Sequence, residues 1–128
     1  MSRGRRIAGW VMTGLLTALF VGSAIGKLTR AAPVVEMFQK WGLGNEVLLI
    51  GGGELTSALL FVIPRTHSLG VLLLSGYMGG AIVTHMQHGE SYVAQSIILL
   101  LIWVAGYLRY PQLLQSFRGA PSTAKAES

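Results

Sequence analysis

The chain has 128 residues, 52% of them hydrophobic and only 12% charged, with a mean hydropathy of +0.55, which excludes a soluble domain of this size. It has no cysteine, so disulfides, thiolate metal sites and a thiol relay built from this chain alone are excluded as well. The net charge is +5, but the basic residues flank apolar segments, which points to anionic lipid headgroups and away from nucleic acid.

Arg3, Arg5 and Arg6 precede an uncharged run, Ile7 to Gly26, about one bilayer crossing in length. A basic start followed by Gly22, Ser23 and Ala24 also fits a secretory signal peptide. The run exceeds the usual apolar core of such a signal and three further candidate spans follow, so a retained span is expected. Gly14, Ala18, Gly22 and Gly26 recur every fourth residue and predict a small-residue stripe for close helix packing. Lys27 stands at the mouth of this span.

Residues 28–45 form the one long connection. Pro33 suits the first turn of a helix. Val34, Phe38 and Trp41 fall on one face, with Glu36, Gln39 and Lys40 elsewhere, which predicts a short amphipathic helix lying in the interface. Gly42, Gly44 and Asn45 end it. The reading favours a cover over the bundle mouth, with a substrate gate as the alternative.

The second span, about 47–63, holds one carboxylate, Glu54, inside an otherwise uncharged run. At about 1.5 Å rise per residue, Glu54 lies ~10 Å below the start of the run and ~13 Å above Ile63, near mid-bilayer. A carboxylate there costs several kcal/mol unless paired, protonated or wetted, so it marks a candidate functional site. Wound as a helix, Ile50, Gly51, Ser57, Ala58 and Phe61 share its face. Leu48, Leu55, Leu59 and Val62 make an opposite face suited to lipid.

Pro64 stops that helix and the PRTH stretch turns the chain. The third span, about 68–87, carries a Gly76/Gly80 pair on one side, expected to touch the Gly14, Ala18 and Gly22 stripe. Tyr77, Ala81, Thr84, His85 and His88 lie within an arc of about 100° on the other. The fourth span, about 92–108, is mainly Ile, Leu and Val and should face lipid. From Pro111 to Ser128 the chain is small and polar, read as a disordered tail.

Four spans put both termini on one side. Arg3, Arg5, Arg6, Arg65, Arg109, Arg118 and Lys125 outnumber Lys27, Arg30 and Lys40 across the membrane, which favours cytoplasmic termini. The candidate ligand pocket then lies in the outer leaflet and gathers Lys27, Glu54, His85, His88 and Tyr77, with Gln95 nearby. Lys, Glu and His in a partly dry cavity suit protonation of a quinone-like or other small apolar carbonyl compound, or a proton relay. They equally suit an internal polar network that only holds helices together. His85 and His88 lack the third convergent ligand a metal needs, so no metal is assigned. No phosphate loop, HExxH or nucleophile elbow is present.

The pattern resembles the DoxX-like family of small four-span membrane proteins. The matching residues are Gly26-Lys27-Leu28, Phe38 with Trp41-Gly42-Leu43, Gly53-Glu54-Leu55, Ile63-Pro64, Leu69-Gly70, Gly80-Ala81 and His85. They extend over roughly residues 7–108. The family often has a proline near the position of Gly44-Asn45. Members of the wider group are associated with thiosulfate and quinone oxidoreduction, or with scaffolding of membrane oxidoreductase complexes. The resemblance thus implies a bacterial inner-membrane protein with redox links, quinone being the one cofactor it suggests and a membrane oxidoreductase or a second copy the partner. The missing cysteines count against direct sulfur chemistry.

The expectation is therefore an all-α integral membrane four-helix bundle with a short interfacial amphipathic helix between helices 1 and 2. Its polar pocket would bind a small apolar or quinone-type molecule or support an oxidoreductase complex. The alternatives are a structural scaffolding subunit, which predicts a filled bundle, and a small proton-coupled transporter, which predicts a water path to both faces.

Overall fold

The computed structural model describes residues 3–118, and the described residues contain helices and no strand. Four long helices run antiparallel in sequence: α1 (Arg3–Leu28), α3 (Val47–Val62), α4 (His67–Gln87) and α5 (Val93–Arg109), with the short α2 (Ala32–Lys40) between the first two. α1 packs against α3 and α5, and α4 packs against the same two, so α1 and α4 face each other across the bundle. One end carries the start of α1 and the end of α5; the other carries α2. α1 and the segments Gly44–Val62 and Pro64–Gln87, which contain α3 and α4, meet the length and hydropathy of a bilayer crossing, while α5 is an apolar helix of 17 residues, the short end of the spanning range. The molecule is an all-α, multi-pass membrane bundle.

Local sequence explains the boundaries. Pro33 lies in the first turn of α2, where its missing N–H costs nothing. Gly42 ends that helix at φ 77°, a conformation that favours glycine. It lets the Leu43 and Gly42 amides reach the Phe38 and Gln39 carbonyls at 2.8 and 3.0 Å. Ile63 leaves the helical region ahead of Pro64, as residues before proline do.

The core fills the terminal half of the bundle. Leu16, Phe20, Ala58, Phe61, Leu74 and Ile102 are all buried there, while Leu15, Leu49, Leu72 and Leu100 are exposed and form the lipid-facing surface. As expected, Gly51, Ser57, Ala58 and Phe61 are buried with Glu54, and Leu48 and Leu59 are exposed on the other side of α3.

The expected packing glycines are not the ones used. Gly14, Ala18, Gly22, Gly76 and Gly80 are exposed, and a Cβ on Gly14, Gly22, Gly76 or Gly80 would meet no atom within 4 Å. Gly26 touches only Val34 of α2. The close contacts instead fall at Gly9 and Gly51, where a Cβ would stand 2.8 Å from the Arg109 backbone and 2.8 Å from Lys27 Cβ, and at Gly70, where it would run into the Phe61 backbone. The physical reason is the bundle order: α1 and α4 lie diagonally, so their small faces never meet, and the backbones approach at the α1–α5, α1–α3 and α3–α4 seams.

Two further departures lie near the terminal end. Pro111–Arg118, expected within a disordered tail, is a 3-10 helix that folds back on α5, where Leu113 approaches Gly106; residues 119–128 lie outside the described residues. Arg109, read as an interfacial charge, is 2% exposed. Its Nη1 donates to the Phe61 carbonyl at 2.8 Å and its Nη2 to the Val62 carbonyl at 3.2 Å. These are last-turn carbonyls of α3, left without amides by the helix end, and a cation is favoured at that pole. The guanidinium also stacks on Trp10 at 4.1 Å, a cation–π contact that shields it from lipid.

Candidate functional site

The α2 end of the bundle encloses a cavity of about 540 Å³, within the size range of small-molecule sites. Three helices build its polar floor. Lys27 and Ser23 come from successive turns of α1, Glu54 from α3 and Tyr77 from α4. Lys27 Nζ lies 2.8 Å from Glu54 Oε1, with the two side chains 9% and 2% exposed. The same ammonium donates to Ser23 Oγ at 2.5 Å, and Tyr77 lines the cavity beside it. One ammonium therefore joins Ser23 to a buried ion pair, with the Tyr77 ring beside it. Such additional partners are what a charge at this depth needs, because the pair alone rarely recovers its desolvation cost.

Backbone shape makes the pairing reachable. Gly51 lets α3 pass directly against the Lys27 stem, so the side chain runs from the end of α1 down to Glu54 instead of outward. The ammonium sits 5.8 Å from the Tyr77 ring centroid and 5.9 Å from that of Phe38, aromatic faces that favour a cation. It carries three protons, two of them committed to Ser23 and Glu54. The third is available to an acceptor entering the cavity.

A second polar cluster closes the α2 end. Trp41, just past α2, donates its indole N–H to Glu90 Oε1 at 3.2 Å and packs edge-on to His85 at 5.1 Å. His85 Nδ1 lies 2.7 Å from the Ala81 carbonyl. A carbonyl only accepts, so Nδ1 carries the proton and, in the neutral ring, Nε2 is the acceptor. Nε2 is 3.4 Å from Gln95 Nε2 and 3.8 Å from Glu90 Oε1. Gln95 Oε1 is buried without a partner.

Lys27, Glu54, Tyr77 and His85 thus line one cavity, but they do not form one cluster. His85, expected beside Glu54, belongs with Trp41, Glu90 and Gln95, because its Nδ1 is tied to its own helix and its ring rests on the tryptophan. His88 is exposed and outside the cavity; its Nδ1 takes the Thr84 carbonyl at 2.8 Å. Ser23 and Trp41 went unread as site residues. The signal for Ser23 was its position one turn before Lys27. Among the described residues, no three His, Cys, Asp or Glu side chains converge on a metal-sized site.

A model of the DoxX-like family matches residues 11–106, a stretch that includes every residue of both polar clusters. No curated protein and no solved structure matches the chain.

Proposed function

The chain belongs to the DoxX-like family, and from that premise and the cavity's chemistry we propose that it binds a small lipid-soluble carbonyl compound of the quinone type at the α2 end of the bundle. The observation that carries the reading is the buried Lys27–Glu54 pair, 2.8 Å apart, at the floor of an otherwise apolar cavity. A carbonyl oxygen there takes the third Lys27 proton, and Tyr77 and Glu54 stand beside it as a proton donor and a proton store. Nearer the α2 end, the Gln95 amide, beside His85, offers an N–H to a second oxygen. Two polar poles across an apolar waist suit a flat molecule with oxygens at both ends.

The alternatives make different demands. A purely structural subunit has no use for an unfilled space of about 540 Å³ beside its costliest charge. A transporter needs a path to the other face, yet below Glu54 the bundle is filled by Phe61, Leu74 and Ile102, each with no measurable exposure. On the balance of basic residues the termini are cytoplasmic, and the cavity then lies in the outer leaflet of a bacterial inner membrane, where a membrane oxidoreductase could exchange the same compound.

The test is thermal unfolding of the purified protein with a decyl-substituted dimethoxybenzoquinone. Binding only to the folded state should stabilise by about 2.7 kcal/mol at a hundredfold excess over Kd. The wild type should show the rise, while Lys27→Met and Tyr77→Phe lose most of it. A rise of equal size in Lys27→Met would refute the reading.

A further inference from the structure

Gly76 and Gly80 line the cavity and are also exposed on the outer surface of α4. A Cβ at either position would meet nothing within 4 Å. At about 1.5 Å per residue they stand ~14 and ~20 Å along α4 from His67, at the depth of lipid chains. Tyr77, between them in sequence, lines the cavity with its ring centroid 5.8 Å from the Lys27 ammonium. The same turn of helix therefore presents bare backbone to the hydrocarbon and an aromatic side chain to the buried ion pair. Small residues in a membrane helix normally admit a neighbouring helix, and here no neighbouring helix occupies the space.

We propose that Gly76 and Gly80 form a lateral doorway, so that the occupant is a chain-bearing amphiphile drawn from the bilayer, its polar end on Lys27 and Tyr77 and its hydrocarbon chain leaving between these glycines. The inference rests on the quinone-type reading for the polar end and adds the chain. The occupant follows from the surroundings: the glycines open onto hydrocarbon, and toward the α2 end the cavity is lined by Phe38 and by Trp41, which is held by its bond to Glu90. A water-soluble compound finds neither entrance suited to it. An isoprenoid or alkyl tail crosses the doorway without losing its apolar surroundings.

The test uses the full chain in phosphatidylcholine vesicles with hexadecanol that carries a photoreactive diazirine near its hydroxyl end. Met78 lines the cavity and is 3% exposed, so it is labelled only by a chain that has entered. Labelling of Met78 is expected in the wild type, with a roughly tenfold loss in Gly80→Leu. Labelling at lipid-facing Leu72, 63% exposed, should be unchanged. An unlabelled Met78, or equal labelling in Gly80→Leu, overturns the doorway. Competition separates the two proposals. Displacement of the label by the decyl-benzoquinone supports both. Labelling that the quinone does not displace keeps the doorway and removes the quinone-type reading. Gly80→Ala, which adds only one methyl, should fall between wild type and Gly80→Leu.

Discussion

Taking an ammonium out of water costs several kcal/mol unless an anion offsets it, and Glu54 does so for Lys27 at 2.8 Å. Removing either partner strands the other in a dry site. Lys27→Met and Glu54→Gln should each lower the unfolding free energy in detergent by about 3 kcal/mol, and the double variant should lose clearly less than the sum. Additive losses would show that the pair is not coupled. The inward direction of Glu54 was legible, because winding the second span as a helix placed Gly51, Ser57, Ala58 and Phe61 beside it. The partners of His85 were not. Trp41 and Glu90 lie between helices, where no period tells which way a side chain points.

At the scale of elements, the glycines divide by what a Cβ would meet. Gly70→Ala drives a methyl into the Phe61 backbone. Neither helix can yield without moving its neighbours, so the change should cost about 1–3 kcal/mol. Gly80→Ala enters open space and should change stability by less than about 0.5 kcal/mol. Parallel unfolding curves in one detergent compare them, and equal losses would contradict the seam assignment. Four-residue spacing marks a helix face as narrow but does not say which helix meets it. That depends on the order of helices around the bundle, which pairs α1 with α3 and α5 and sets α4 opposite. Gly9, Gly51 and Gly70 belong to no regular repeat, and only the assembled bundle reveals them. Arg109 escaped for a related reason. Its partners are carbonyls at the end of α3, and Pro64 announces that end without naming what will cap it.

For the molecule as a whole, the four apolar runs, the amphipathic connection and the turn at Pro64 were enough to read the bundle, since hydrophobic length is a strong signal in lipid. The helix ends moved by a few residues and Pro111–Arg118 proved helical. The orientation makes its own prediction. In this cysteine-free chain, a cysteine at Ser91, exposed at the α2 end, should react with an impermeant maleimide in intact cells. One at Gln112, exposed near the terminal end, should not. The reverse pattern would invert the topology. The central claim is that the cavity above Lys27 and Glu54 is a ligand site, and native mass spectrometry of the protein released gently from its own membranes tests it most directly. The account predicts a population heavier than the bare chain by one small lipid-soluble molecule, depleted in Lys27→Met that remains folded. A bare wild-type mass throughout, or the same adduct kept in full by folded Lys27→Met, would contradict it.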